Sequence, residues 1–84
     1  SFTDPDYFKD VRIDDYGWNK NSYWFALVDS DRGELDGIIT LTPSSTTQAG
    51  TVIWLCGYAA RKDTGETPTM KSTIKRQYLP GICQ

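Results

Sequence analysis

The sequence offers few residues that could carry catalytic chemistry. The 84-residue chain contains no histidine, which excludes Ser–His and Cys–His nucleophile pairs and any imidazole general base. Paired carboxylates are present at Asp14 and Asp15 and again between Asp29 and Asp36, in segments rich in turn-forming residues. Nothing in these segments indicates the burial that sets two carboxyl pKa values apart. We therefore expect no enzymatic activity and no cofactor.

One acidic segment resembles the start of a calcium-binding loop. In DSDRGELDG, Asp29 and Asp31 are spaced as Asp-x-Asp-x-Gly, a pattern of oxygen ligands typical of calcium sites. The pattern then fails, because Thr40 stands where a twelve-residue loop needs its bidentate glutamate. A charged hairpin turn is the simpler interpretation, and calcium binding by Asp29 and Asp31 is the alternative.

The two cysteines, Cys56 and Cys83, are too few to fill a tetrahedral zinc shell in a chain without histidine. They are therefore either free thiols or one disulfide. The disulfide is favoured, because a domain of this size obtains only marginal stability from its core and Cys83 lies beside the chain end. A disulfide implies an oxidising compartment: the periplasm, the cell surface or the outside of the cell.

The apolar segments of the chain are short. No stretch has the basic and apolar pattern of a signal peptide, and the longest apolar run, residues 23–28, is far shorter than a membrane span. We therefore expect a mature or trimmed ectodomain.

The N-terminal residues predict a helix, and with it an α+β fold, for a single domain over residues 1–84. Asp4 fits an N-cap and Pro5 the first helical position. The turn formers of residues 14–22 should end that helix. Residues 1–22 are thus predicted to be a short helix, or the remnant of a longer one, and a connecting loop.

The rest of the chain predicts an antiparallel sheet of about four strands. Three strands within residues 23–59 follow from apolar runs and alternation, and a short edge strand around Ile74 would be the fourth. Residues 57–82 form a loop bounded by the cysteines. Within it, Pro80 and Gly81 predict a type II turn that closes the loop. The predicted strand bounds are 23–28, 37–43 and 51–59.

Charge is unevenly distributed along the chain. Residues 1–36 contain nine acidic and four basic residues, a balance of −5, whereas residues 37–84 contain two acidic and five basic residues, a balance of +3. The basic half could bind DNA or another partner, although solubility alone also explains such a charge pattern. The predicted partner-binding residues are Arg61, Lys62, Lys71, Lys75 and Arg76.

The three tryptophans raise the question of sugar stacking. Trp24 and Trp54 lie within strand patterns and are expected in the core. Trp18 lies in a turn-rich segment and is the best candidate for exposure. A secreted sugar-binding domain is therefore a further alternative.

The segment GIITLTPSSTTQAGTVIWLC, followed after a variable loop by YLPGIC, resembles the C-terminal half of type IV pilins. The resemblance covers residues 37–83, and the order of its pieces is more specific than any one of them. The matching pieces are Leu41-Thr42-Pro43, Gly50, Trp54-Leu55-Cys56 and Tyr78-Leu79-Pro80-Gly81-Ile82-Cys83.

This resemblance implies a structural role. Type IV pilins carry a long N-terminal helix whose apolar half anchors the subunit in the inner membrane and later packs in the filament, and this segment would be missing here. A four-stranded antiparallel sheet lies on that helix, and the disulfide-bounded region is exposed and contacts partners.

The implied function is a major or minor pilin of the bacterial cell surface, acting in adhesion, motility or DNA uptake. The partners would be other pilin subunits, with DNA or a surface receptor as further candidates. A competence-type minor pilin that binds DNA and a pseudopilin of a type II secretion system are the alternatives.

Overall fold

A computed structural model describes residues 9–84 as a four-stranded antiparallel sheet. The strands follow one another in space as they do in sequence, so each neighbouring pair is joined by one connection. Two short 3-10 turns, Arg76–Tyr78 and Gly81–Cys83, follow the last strand. The strands are β1 (Val11–Asn19), β2 (Ser22–Asp29), β3 (Gly37–Pro43) and β4 (Trp54–Cys56).

The prediction of an α+β fold is wrong, because residues 9–84 contain strands and 3-10 turns but no α-helix. Val11 begins β1, which includes most of residues 14–22, the segment expected to end the helix and form a connecting loop. The predicted helix start at Asp4 and Pro5 lies outside the described residues. The protein is therefore an all-β domain over the residues that the structure describes.

A tight hairpin explains why the aspartate-rich segment forms a strand. Lys20 and Asn21 both have positive φ, 50° and 58°, as a type I′ turn requires, and this turn matches the twist of paired strands. The hairpin sets Trp18 opposite Tyr23. The acidic side chains Asp14 and Asp15 stay exposed on this edge strand, where a β-bulge interrupts the register.

The other strands follow the predicted pattern with one difference. β3 has the predicted bounds and β2 is one residue longer at each end. The third predicted strand, residues 51–59, is reduced to Trp54–Cys56. It is short because Gly57 leaves the strand conformation with φ 63°, and because Gln48 and Thr51 pair with each other in a turn of their own.

The core is small and lies against one face of the sheet. Three of its four buried side chains come from the last eleven residues of the chain, which contain no strand. These residues pack on the inner side chains Leu27 and Ile39. The four buried side chains are Leu35, Ile74, Leu79 and Cys83.

Hydrogen bonds attach the segment around Ile74 to β3, beside the short β4. The N–H of Thr73 donates to the carbonyl of Ile38 at 2.8 Å, and the N–H of Ile38 donates to the Thr73 hydroxyl at 2.7 Å. The N–H of Thr40 donates to the Ser72 hydroxyl. The edge strand predicted around Ile74 is not formed, because side-chain hydroxyls take the place of part of the backbone ladder.

The disulfide joins the end of β4 to the last turn. Cys56 and Cys83 are bonded, with their Cα atoms 4.6 Å apart and 27 residues apart in sequence, so the predicted disulfide is present. The predicted type II turn at Pro80 and Gly81 is not formed. Gly81 does not adopt a positive φ, and the N–H of Cys83 donates to the Pro80 carbonyl, so a 3-10 turn begins one residue later.

The disulfide should supply much of the stability of the domain. We expect reduction, or the Cys56→Ser and Cys83→Ser double variant, to lower the free energy of unfolding by about 3.5 kcal/mol, because closing a loop of this length restricts the unfolded chain. Urea denaturation with and without reductant measures the difference. Coincident midpoints in the two conditions would contradict this role.

Gly57 should be much less tolerant of a side chain than a glycine in an open turn. A Cβ atom at Gly57 would lie 2.5 Å from the carbonyl oxygen of Cys83, whereas one at Gly65 meets nothing within 4 Å, although both residues have positive φ. Gly65→Ala should cost about 1 kcal/mol from backbone strain alone. Gly57→Ala should cost roughly 2 kcal/mol more, because the chain end must move. Equal losses in urea denaturation would show that Cys83 shifts freely.

Candidate functional site

The candidate site is the disulfide loop, residues 57–82. Its two ends are joined by the disulfide and by the N–H of Tyr58, which donates to the carbonyl of Cys83 at 2.8 Å. Leu79 is buried beside Gly57 and anchors the returning chain. The loop is therefore closed at its base, and its surface is held against the sheet.

Arg61 is buried and ties this loop to the β3–β4 connection. Its side chain is 6% exposed and forms a two-pronged ion pair with Asp63, with nitrogen–oxygen distances of 2.6 and 3.0 Å. Its Nη1 donates to the Ser44 hydroxyl and to the carbonyl of Thr46. Arg61 was predicted to bind a partner, but its donors are engaged within the fold.

The two carboxylates of the loop are also engaged. Hydrogen bonding from Arg61 lowers the pKa of Asp63. The hydroxyl of Ser44 donates to Glu66, and the N–H of Ser45 donates to the same carboxylate at 3.0 Å; these bonds lower the pKa of Glu66. Both carboxyl groups therefore stay ionised around Arg61 in neutral solution.

The structure separates the five predicted basic residues into different surroundings. Lys71 and Arg76 line the same cleft, which also includes Tyr58. Lys62 instead lines a groove beside β4, and Lys75 is exposed. The sequence did not single out Tyr58, whose ring contacts Arg76 and whose hydroxyl lies 2.9 and 2.7 Å from the carbonyls of Ser72 and Ile74.

The groove beside β4 has a volume of about 750 Å³. Its wall is mostly apolar, with Trp54 on one side and Ile82 on the other. Ile82 is 83% exposed. Lys62 and Asp63 add charge to the same groove.

Three aromatic side chains form a row at one end of the sheet. Trp18 and Tyr23 have ring centroids 4.6 Å apart, and those of Tyr23 and Trp54 are 5.9 Å apart. Trp18 is exposed as predicted, but Trp54, expected in the core, is 47% exposed. Trp54 is the first residue of β4, and its ring lies beside the exposed ring of Tyr23.

One of the two calcium candidates, Asp29, is engaged in hydrogen bonds within the fold. Asp29 is buried, and its Oδ1 accepts hydrogen bonds from the N–H groups of Asp31 and Arg32, so this carboxylate caps the turn after β2. Burial acts to raise the pKa of Asp29, but these N–H groups and the charge of Arg32 outweigh it and lower the pKa. Within residues 9–84, no group of three or more Asp, Glu, Cys or His side chains is arranged to hold a metal ion.

Comparison with known protein families, with curated proteins and with solved structures finds no match to this chain. Among the residues that the structure describes, no helix has the length and apolar character needed to cross a membrane.

The Arg61 network should make stability depend on pH in the acid range. Because the pKa of Asp63 is lowered by folding, its ionised form stabilises the folded state at neutral pH, and this contribution is lost as the pH falls below about 4. Arg61→Ala should cost roughly 2 kcal/mol at neutral pH through lost hydrogen bonds and should reduce the loss of stability in acid. Lys62→Ala, which changes an exposed neighbour, is the matched control. Urea denaturation at pH 7 and pH 3 tests both variants, and parallel behaviour of Arg61→Ala and wild type would contradict this account.

Proposed function

We propose that this chain is the globular part of a type IV pilin subunit, either a major or a minor pilin, that assembles into a filament on the bacterial surface. One observation carries the proposal: the sequence pieces that resemble pilins lie together in space. Leu41-Thr42-Pro43 at the end of β3 pairs with Trp54-Leu55-Cys56 of β4, and Cys56 is bonded to Cys83 of the final piece. This arrangement explains why the pieces occur in that order.

The exposed apolar surface gives independent support. Seven large apolar or aromatic side chains are more than 40% exposed, and three of them, Trp18, Tyr23 and Trp54, form a continuous row. A contiguous exposed apolar surface is a candidate for contact with a partner. In our proposal the partners are other pilin subunits, and the subunit resides in the inner membrane and periplasm before assembly. The exposed side chains are Ile13, Tyr16, Trp18, Tyr23, Val52, Trp54 and Ile82.

A second candidate is a minor pilin that binds DNA through the disulfide loop. Four of the five predicted basic residues form no ion pair with any residue between 9 and 84, which leaves their charge available. Arg61 is removed from this surface because it pairs with Asp63. The four available residues are Lys62, Lys71, Lys75 and Arg76.

A test of the main proposal uses the bacterium that carries the gene. An antiserum against this domain should label surface filaments, and the subunit should be recovered in filaments sheared from the cells. The reading frame upstream of Ser1 should encode a short basic leader ending in glycine and an apolar helix with glutamate at its fifth position. The strain in which the gene is deleted is the control.

The outcomes separate the alternatives. A major pilin should dominate the sheared fraction, whereas a minor pilin should be present in trace amounts and its deletion should reduce the number of filaments. Loss of protein secretion without loss of filaments would indicate a pseudopilin. Absence of the protein from filaments, together with an upstream frame that encodes no apolar helix, would overturn the assignment.

A further inference from the structure

A cleft on the disulfide loop is lined by two basic residues, Lys71 and Arg76, and by no acidic residue. It has a volume of about 380 Å³ and opens beside the base of the loop, where Gly57 follows β4. Its lining brings two cations together although they are five residues apart in sequence. The lining residues are Gly57, Tyr58, Thr67, Pro68, Lys71 and Arg76.

The two cations have no carboxylate partner. The ion pairs among residues 9–84 involve other basic residues, and neither Lys71 nor Arg76 takes part in one. Glu66 precedes the cleft residue Thr67 in the chain, but its carboxylate accepts hydrogen bonds from Ser44 and Ser45, and Glu66 does not line the cleft. The cleft therefore retains its positive charge.

Arg76 is held in position by an aromatic ring. Its guanidinium carbon lies 5.1 Å from the centroid of the Tyr58 ring, a cation–π contact. The hydroxyl of Tyr58 lies within hydrogen-bond distance of the carbonyls of Ser72 and Ile74. The backbone N–H of Tyr58 donates to the carbonyl of Cys83. The Arg76 guanidinium forms no ion pair with a described residue, so its N–H groups are available to an anion.

We propose that this cleft binds a phosphate group, with Arg76 and Lys71 as its charged donors and the Thr67 hydroxyl as a neutral one. A tetrahedral anion suits donors from three separate points of the loop better than a planar carboxylate does, because its oxygens point in different directions. The phosphate could be free inorganic phosphate or part of a nucleic-acid backbone. The inference concerns this cleft alone and does not rest on the filament assignment.

A titration with sodium phosphate, followed by the amide NMR signals of the loop, tests the proposal. Signals of Tyr58, Lys71 and Arg76 should shift with phosphate but not with sodium chloride of equal ionic strength, and sodium acetate should bind more weakly. Arg76→Gln should weaken phosphate binding by about tenfold or more, the loss expected for a charged hydrogen bond. Lys62→Gln, outside the cleft, should leave it unchanged.

Thermal unfolding of the variants controls for damage to the fold. If Arg76→Gln lowers the melting temperature, Lys71→Gln provides the same test without loss of the cation–π contact. Equal effects of phosphate and chloride, or an equal loss of binding in Lys62→Gln and in the cleft variants, would overturn the proposal.

Competition with a short DNA duplex separates the two sources of phosphate. A duplex that displaces phosphate, loses affinity in Arg76→Gln and shows a salt slope of about −1 for the one phosphate held in the cleft supports the proposal and names nucleic acid as the source. Phosphate binding that no duplex displaces supports the cleft as a site for free phosphate. If neither ligand shifts the signals of the cleft, the proposal is wrong.

Discussion

The disulfide between Cys56 and Cys83 is the constraint on which the rest of the domain depends. The core contains few buried side chains, and most of them belong to the returning chain after residue 73, which contributes no strand to the sheet. Without the covalent bond, the burial of Leu79 and Ile74 and a few hydrogen bonds would have to offset the whole conformational entropy lost when that segment is ordered. With it, the unfolded chain is already restricted, so a small core is sufficient.

In the disulfide loop, hydrogen bonds from polar side chains fix the backbone, as backbone–backbone hydrogen bonds do in the sheet. Arg61 joins residues 44–46 to the loop, Tyr58 holds the carbonyls of residues 72 and 74, and Ser72 binds the N–H of Thr40. Because these bonds are made by side chains, the backbone can stay irregular and still be fixed. A fixed irregular loop can present binding groups with little loss of entropy when a ligand binds.

The sequence was a good guide where the signal is local. Alternation predicted β3, and the spacing and terminal position of the cysteines predicted their bond, which the structure contains. β1 was missed because Asp14 and Asp15 are typical of turns, while its pairing with β2 is decided by a hairpin whose positive φ values fall on Lys20 and Asn21 rather than on glycine. The burial of Arg61 was equally hidden, since two of its partners, Ser44 and Thr46, belong to a distant connection that no spacing rule links to it.

Within residues 9–84, β1 and β4 are the two edge strands of the sheet, and both are poor templates for pairing with another chain. β1 is the longer edge, but its bulge and its exposed aspartates oppose the addition of another strand. β4 has only three residues, too few for a ladder of useful length. Association through backbone pairing is therefore disfavoured at both edges. The exposed apolar side chains and the cationic cleft lie instead on side-chain surfaces, so the partners that we propose would be recognised by the shape and charge of those surfaces, which the disulfide and the Arg61 network hold in place.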